Sequence, residues 1–384
     1  MKLEHSLKEF LKTLDQKGIL RARSLNTLDS SKYQLCFCSN DYLGLSNRKD
    51  IREFYRDGFQ QFATGSGASP LIAGYHPVHK ALEEDFCTAL NCEAGLLFSS
   101  GYTANLGVMA LLGRLQINTL IDKAVHASMY DGLKLSSAKF SRYIHQDIET
   151  LRKKIVPNST VVTEGIFSMS GYQPDLRSIA DITASNESVL FVDEAHSFGI
   201  TGTEGLGSVN HAGLNEQKVP LRIIPFGKSF ASMGAIVVGK KEWIEVLLQV
   251  ARSCIYSTAI SPAVAYGIRK SLHFIREADE HRAHLDALIE YFKNCRKVSG
   301  FEWSNSDTPV QRIKIGGYKQ AALVHQYLQS SGINTQLIRY PTVNVSETSL
   351  RICLTVNHTF NAVDRLFDAL EMVNIDCCVE DESI

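Results

Sequence analysis

The sequence predicts an α/β fold with a largely parallel central sheet. Between residues 94 and 239, short apolar runs alternate with segments of helical spacing, which is the pattern of βαβ units. The runs at residues 221–224 and 235–238 are bounded by proline and glycine, as is typical of strands that are buried on both faces. These two observations together define the fold class.

The composition describes an ordinary soluble protein. The chain has 384 residues, of which 44% are hydrophobic and 21% charged, so it is long enough for two domains. A net charge of −1 gives no reason to expect a nucleic acid or an anionic membrane as a partner. No apolar run reaches the roughly 18 residues of a membrane span, and the amphipathic, acid-containing start does not resemble a secretion signal.

The cysteines indicate a reducing environment. There are nine, an odd number, without the spacing of a zinc site; Cys36 and Cys38 are separated by one residue, and Cys377 and Cys378 are adjacent. This pattern favours free thiols over a disulfide framework, so we expect a cytoplasmic protein.

The N-terminus is predicted to be one amphipathic helix that ends near residues 17–18. Its apolar stripe is formed by Leu3, Leu7, Phe10, Leu11 and Leu14. Such a helix cannot fold alone, so we expect it to pack on another part of the protein or on a second subunit.

The remaining segments suggest three regions. Helices are predicted at residues 241–254 and 268–295, the second as a connector to a small α/β domain. That domain is predicted to contain strands at 310–315, 335–338 and 350–355 and helices at 318–329 and 362–372. We therefore divide the chain into an N-terminal helix and arm (1–45), a large domain (46–280) and a small C-terminal domain (281–384).

Two residues point to chemistry at one edge of the sheet. Lys228 lies in the predicted turn between two strands, where a low-dielectric surrounding lowers the pKa of an amine and makes its neutral, nucleophilic form accessible. The alternative is a loop lysine that reaches into water. Asp193 follows the apolar run 189–192 at a strand's carboxyl end, where α/β sheets bind ligands, although it could also be a helix cap or a loop charge.

Further polar residues occupy similar positions. Residues 99–103 form a turn at a helix start, and the free backbone N–H groups there offer an anion site that is not a Walker loop. His126 precedes a predicted helix, where a histidine is either a structural polar residue or a group that stacks on a cofactor ring. Arg351 lies inside a predicted strand, either exposed at an edge or buried as a carboxylate ligand.

Nine motifs, in the same order and nearly end to end, resemble those of the α-oxoamine synthases. They are SNDYLGL (39–45), GSGASPLIAGYHPVHKALE (65–83), SSGYTAN (99–105), HAS (126–128), TEGIFSMSG (163–171), VDEAHSFG (192–199), FGKS (226–229), YST (256–258), and RYPTV with SLRICLT (339–343 and 349–355). The resemblance implies a pyridoxal-phosphate-dependent transferase of fold type I, which joins an amino acid to an acyl thioester with loss of carbon dioxide. It also implies a homodimer with active sites at the subunit interface.

The resemblance also implies roles for individual residues. Lys228 would bind the aldehyde carbon of pyridoxal 5′-phosphate and later act as the base, and Asp193 would pair with the pyridine nitrogen. His126 would stack on the ring and handle protons. The other implied cofactor contacts are His196 and Ser168 at the ring oxygen, Gly101 and Tyr102 at the phosphate, and Thr258 at a phosphate across the dimer interface. The implied substrate contacts are Arg351 at the amino-acid carboxylate, Asn40, and Thr342 with Arg21 along the thioester path.

Within the family, the sequence is most similar to the member that condenses L-alanine with pimeloyl-CoA or pimeloyl-acyl carrier protein in biotin biosynthesis. The alternatives are members that use glycine and an acetyl thioester, that use serine and a palmitoyl thioester, or that make α-aminoketone signals; a binding protein of this fold without turnover is a further one. Two residues depart from the family pattern. Pro225 replaces a hydroxyl residue three positions before the lysine, and Pro70 replaces a basic residue.

Overall fold

The computed structural model describes residues 2–17, 19–21, 23, 35–340 and 342–373. The strands in this part of the chain are β1 (Leu35–Cys36), β2 (Ala94–Phe98), β3 (Thr119–Asp122), β4 (Phe140–Tyr143), β5 (Thr160–Glu164), β6 (Val189–Asp193), β7 (Leu221–Pro225), β8 (Ala235–Gly239), β9 (Glu302–Trp303), β10 (Val310–Lys314), β11 (Ile333–Asn334), β12 (Gln336–Ile338) and β13 (Ser349–Cys353).

The helices in the same residues fall between these strands, apart from α1 and α14 at the ends. They are α1 (Lys2–Gln16), α2 (Lys49–Gln61), α3 (Pro77–Leu90), α4 (Gly101–Arg114), α5 (Ala127–Leu135), α6 (Ile148–Lys154), α7 (Leu176–Ala184), α8 (Gly207–His211), α9 (Lys241–Val250), α10 (Arg252–Ile255), α11 (Pro262–Glu277), α12 (Asp279–Val298), α13 (Tyr318–Ser330) and α14 (Phe360–Glu371). None of the helices described here is long and apolar enough to cross a membrane.

A seven-stranded sheet with the order β2-β8-β7-β6-β5-β3-β4 forms the larger layer. All neighbouring pairs are parallel except the two that β8 makes with β2 and β7. Because successive residues of a strand face opposite sides, Val162 packs against α4 and α5 while its neighbour Val161 packs against α7. Because helices cover both faces of the sheet, its strands are continuous apolar runs in the sequence. The predicted α/β class is confirmed.

A second, antiparallel sheet with the order β12-β13-β10-β9 forms the smaller layer, covered by α12, α13 and α14. The early residues Phe37 and Tyr42 are buried in the same apolar cluster as this small sheet. The short strand β1 also pairs with β11 near the small sheet. The predicted division at residues 45 and 280 remains a prediction.

The two sheets are joined at residues 165–171, the loop that follows β5. The Gly171 carbonyl accepts hydrogen bonds from the hydroxyls of Ser306 (3.2 Å) and Thr308 (3.1 Å). Gly171 has a φ of 68°, and a Cβ there would lie 2.1 Å from the Val310 carbonyl oxygen, so only glycine allows this approach.

The predicted helix at 268–295 is wrong as a single element, because α11 and α12 are separated at Ala278. The guanidinium of Arg282 explains the break. Its Nη1 donates to the Ile275 carbonyl (2.6 Å) and its Nη2 to the Arg276 carbonyl (3.2 Å), so it satisfies groups that the end of α11 leaves without helical partners. The predicted helix at 241–254 is likewise two helices, α9 and α10, which are separated at Ala251.

Helix α1 forms as predicted and ends at Gln16. Leu3, Leu7, Phe10 and Leu11 on its apolar stripe are all more than half exposed, so this face has no cover within the described chain. Seven cysteines of the described residues are free, in agreement with the predicted reduced thiols; Cys377 and Cys378 lie outside the described residues.

Candidate active site

Lys228 lies in the turn between the antiparallel strands β7 and β8. The turn is closed by hydrogen bonds from the Phe226 N–H to the Gly234 carbonyl (2.9 Å) and from the Ala231 N–H to the Lys228 carbonyl (2.8 Å). Burial lowers the pKa of the Lys228 amine, while the nearby carboxylates of Asp193 and Glu164 act in the opposite direction. The lysine is therefore a desolvated amine close to two acids.

Asp193 is the last residue of β6 and is buried. Its Oδ2 accepts a hydrogen bond from Nδ2 of Asn105 (2.8 Å), and its Oδ1 accepts one from the Ala195 N–H (2.9 Å). Burial raises the pKa of Asp193, and the positive charge of Lys228 opposes this effect. The carboxylate is thus held in a defined orientation, with Lys228 and His126 close enough to affect its titration.

Glu164 ends the neighbouring strand β5, and the register of the sheet places it directly beside Asp193. Its Oε1 accepts a hydrogen bond from the His126 N–H (2.6 Å). Burial, together with the charge of Asp193, raises the pKa of Glu164 to about 8. Two carboxyl groups therefore share one edge of the sheet because their strands are parallel neighbours in register.

Two histidines are held in the neutral form near these acids. His126 precedes α5 and contacts the Ser128 hydroxyl through Nδ1 (2.8 Å), and burial lowers its pKa. His196 contacts the Tyr42 hydroxyl through Nδ1 (2.6 Å). Burial, followed by the charges of Lys228 and Arg351, lowers the pKa of His196 well below its ordinary value. The lowered pKa values favour the neutral imidazole, which can accept a hydrogen bond from a reacting group.

Arg351 lies on β13 of the small sheet and is buried, so the edge-exposed alternative is excluded. Its Nε donates to the Ser168 carbonyl (2.6 Å), and its Nη2 donates to Oδ1 of Asn40 (2.9 Å). The charge of Arg351 also affects the pKa of Lys228, which places the guanidinium near the amine. We refer to Arg351 and Asn40 as the carboxylate clamp.

The N-terminus of α4 supplies backbone N–H groups at Gly101 and Tyr102, the predicted phosphate contacts. Ser100 caps the helix and accepts from the Thr103 N–H (3.1 Å). Pro225 packs directly against this turn, since a Cβ on Gly101 would lie 2.6 Å from Cγ of Pro225. Tyr102 is exposed, and its hydroxyl bonds to the Asp131 carboxylate.

The structure does not bring every predicted site residue to Lys228. Thr258 is exposed and lines a cavity of about 290 Å³ with Ser99 and Ser257. Arg21 and Thr342 are exposed too. Arg339 links their two segments. Its backbone carbonyl accepts from the Thr342 N–H (2.9 Å), and its Nη2 donates to the carbonyl of Leu20 (3.0 Å), the residue before Arg21.

Sequence reasoning missed Asn105 and Tyr42 and assigned no role to Glu164. Asn105 is a buried amide on a helix whose other buried positions are apolar or glycine, and it also donates to Ser128 (3.0 Å). A lone amide at such a position could have been recognised as a residue that needs a buried partner. Nothing local in the sequence indicates that Tyr42 would contact His196.

Comparison with known proteins places these residues in a family. The model of the aminotransferase class I and II family matches residues 32–370. The chain belongs to the aminotransferase class I and II family. It is 41% identical over 339 residues to the 8-amino-7-oxononanoate synthase of Pseudomonas aeruginosa. The aligned residues cover 88% of this chain and 84% of the relative.

Solved structures of this aminotransferase family have the same fold. The 8-amino-7-oxononanoate synthase of Francisella tularensis is 30% identical, with a TM-score of 0.79, over 88% of this chain and 96% of the other. The serine palmitoyltransferase of Sphingomonas wittichii is 24% identical, with a TM-score of 0.86 and 96% of both chains covered, which shows the shared fold alone. These comparisons confirm the α-oxoamine synthase resemblance, fold type I and pyridoxal 5′-phosphate as the cofactor.

Proposed function

We propose that this enzyme condenses L-alanine with pimeloyl-CoA or pimeloyl-acyl carrier protein. The products are 8-amino-7-oxononanoate, carbon dioxide and the free thiol of the carrier, and the reaction belongs to biotin biosynthesis. The observation that carries the proposal is the carboxylate clamp, in which the buried Arg351 lies near Lys228 in a chain 41% identical to a synthase of that name.

The residues present fit pyridoxal 5′-phosphate. The cofactor needs an amine for its aldehyde, an acid for its pyridine nitrogen and an anion site for its phosphate. Lys228, Asp193 and the start of α4 offer these three groups. Two buried polar atoms, Oδ1 of Asn105 and Oγ of Ser229, have no hydrogen-bond partner among the described residues, as expected beside a polar ligand.

The acid–base chemistry follows from burial and charge. When bound, the cofactor supplies an electron sink for negative charge on the α-carbon of the amino acid. Asp193, held by Asn105, keeps a proton on the pyridine nitrogen, since a buried carboxylate stabilises the positive partner it faces. Lys228 removes the proton from the α-carbon, because burial favours its neutral amine. His126 orients the acyl carbonyl and returns a proton.

The clamp selects for an α-amino acid. A guanidinium binds a carboxylate through two parallel hydrogen bonds, and Arg351 is prepositioned for this by Ser168 and Asn40. His196 and Ser168 are proposed to border the cofactor's ring oxygen. Arg21 and Thr342, which approach each other through Arg339, are proposed to line the thioester path.

We propose further that the enzyme is a homodimer. The exposed apolar stripe of α1 supports this, as an uncovered face of Leu3, Leu7, Phe10 and Leu11 is costly in water. In such a dimer, Thr258 would contact the phosphate in the partner subunit's site. The free thiols of the described residues support a reducing, cytoplasmic location.

The test is one mass-spectrometric assay. The protein with added cofactor is offered L-alanine, glycine or L-serine, each with pimeloyl-, acetyl-, decanoyl- and palmitoyl-CoA. We expect a product from L-alanine and pimeloyl-CoA alone, and after borohydride reduction the cofactor mass on the Lys228 peptide. Lys228→Ala should abolish both. Reaction of another pair instead would overturn the substrate assignment while the family assignment stands.

A further inference from the structure

Two cysteines flank a fixed residue at the start of the segment that leads to Asn40. Between Cys36 and Cys38, Phe37 donates from its N–H to the Asn334 carbonyl (2.8 Å), and its carbonyl accepts from the Cys353 N–H (2.8 Å). The Phe37 ring is buried and stacks on His358 at 4.3 Å between ring centroids. Residues two apart in an extended segment share one face, so the side chains of Cys36 and Cys38 lie on the face opposite the Phe37 ring.

The two thiols have different environments. Cys36 is exposed, whereas Cys38 is half-buried. A hydrogen bond from the Cys38 thiol lowers the pKa of Cys36 to about 6, and the same bond and burial raise the pKa of Cys38. At neutral pH the pair therefore consists of an accessible thiolate and an adjacent protonated thiol. This is the arrangement of a reactive cysteine with a resolving partner.

Cys38 connects this pair to the carboxylate clamp. The charges of Arg351 and Cys353 affect the titration of Cys38, so both lie near its sulfur. Cys353 donates from Sγ to Oδ1 of Asn40 (3.6 Å), the same atom that accepts from Arg351 (2.9 Å). Asn40 follows Cys38 by two residues, so the backbone that a covalent bond at Cys38 would constrain leads directly to the clamp.

We propose that Cys36 and Cys38 form an oxidation site that controls the affinity of the carboxylate clamp for its amino acid. A peroxide is the oxidant. The Cys36 thiolate attacks one peroxide oxygen, the O–O bond breaks, and hydroxide leaves, so that Cys36 becomes a sulfenic acid. The Cys38 thiol then attacks that sulfur, a disulfide forms, and water leaves; a dithiol reverses the change.

A second pair of cysteines provides a matched control. Cys87 lies in α3 and Cys92 follows that helix, and the Cys92 N–H donates to the Cys87 carbonyl (3.0 Å). Both are half-buried, and they interact with each other as the first pair does. Cys87 is in the last turn of α3, and Cys92 is in the loop between α3 and β2. Neither has a hydrogen bond to Arg351 or Asn40 among the described residues.

The thiol chemistry is tested by alkylation with iodoacetamide at pH 6, where about half of Cys36 is thiolate. Allowing for the lower nucleophilicity of an acidic thiol, Cys36 should react about tenfold faster than an ordinary cysteine. Cys38→Ser should keep part of this advantage, because a hydroxyl can also donate, and Cys38→Ala should remove it. Equal rates at Cys36 and at the other exposed or half-buried cysteines would overturn the inference.

The effect on the clamp rests on the proposed function and is measured separately. The full chain with bound cofactor is treated with hydrogen peroxide, its disulfides are mapped, and its affinity for L-alanine is determined by absorbance titration. We expect a Cys36–Cys38 disulfide and an affinity about fivefold or more lower, restored by dithiothreitol. Cys36→Ser should be insensitive to peroxide, and Cys87→Ser should behave as the unaltered chain.

Two results would overturn the proposal. One is a disulfide that maps to other cysteines, and the other is a Cys36–Cys38 disulfide that leaves the affinity for L-alanine unchanged. If the reduced enzyme binds no L-alanine at all, the substrate assignment fails, and peptide mapping together with alkylation still decides the thiol chemistry.

Discussion

Nδ2 of Asn105 lies 2.8 Å from Oδ2 of Asp193 and donates a hydrogen bond to it. The bond crosses from helix α4 to the end of β6 and is buried at both ends. The helix whose N-terminus is the proposed phosphate site therefore also supports the acid proposed to face the pyridine nitrogen. Cofactor binding should therefore depend on a residue that need not touch the cofactor.

Replacing Asn105 by Ala should weaken cofactor binding. A hydrogen bond to a charged group contributes about 1.5–3 kcal/mol, so the dissociation constant of pyridoxal 5′-phosphate should rise about ten- to hundredfold. Fluorescence titration of the cofactor-free protein measures this directly. Asn186→Ala, at the end of α7, is the control, and an unchanged constant for Asn105→Ala would contradict the assigned role.

Glu164 should make the cofactor-free protein less stable as pH rises. Its pKa is about 8 when folded and near 4.5 when unfolded, so between these values the folded state holds one proton more. Its contribution to stability is full below pH 4.5 and is lost as pH rises through 8, by at most about 5 kcal/mol. In Glu164→Gln this decline should be smaller, as measured by urea unfolding from pH 5 to 8. Glu371→Gln, on the exposed end of α14, should leave the decline as it is.

Replacing Pro225 by Thr should tighten cofactor binding. Proline offers neither a hydroxyl nor an N–H, and its ring lies against Gly101 at the start of α4. A threonine hydroxyl there could donate to the phosphate, and one such bond should lower the dissociation constant about three- to tenfold. Equilibrium dialysis measures the change, with the exposed Pro157→Thr as control. A weaker affinity in Pro225→Thr would mean that the lost packing of the proline ring outweighs the hydrogen bond gained by threonine.

Replacing Arg351 by Lys should raise the KM for the amino acid about ten- to hundredfold and change kcat less. Lysine retains the charge but cannot hold Ser168, Asn40 and a carboxylate at once. Steady-state kinetics with L-alanine separates the two constants. Arg312→Lys is the control because Arg312 pairs with Arg351 across the strands and donates instead to Ser349 (2.8 Å). A similar rise in both variants would point to damage of the small sheet.

Much of the fold was predictable because it depends on local patterns. Apolar runs, their glycine and proline boundaries and the alternation with helices located the strands that end at Asp193 and flank Lys228. The break at Ala278 was not predictable in this way, since no proline or glycine marks it and the carbonyls at the end of α11 are bound by the side chain of Arg282 in the next helix. Asn105 and Tyr42 were missed for a related reason. Their partners are 88 and 154 residues away, a distance that local spacing does not encode.

The loop at residues 165–171 connects the carboxylate clamp to both sheets. The Ser168 carbonyl accepts a hydrogen bond from Arg351 of the clamp. The Gly171 carbonyl accepts hydrogen bonds from the hydroxyls of Ser306 and Thr308. The loop begins directly after Glu164, which holds the backbone of His126. One short stretch of chain therefore links Arg351 on the small sheet to the backbone of His126 on the large sheet, so the relative position of the two sheets sets the distance between the proposed carboxylate and proton sites.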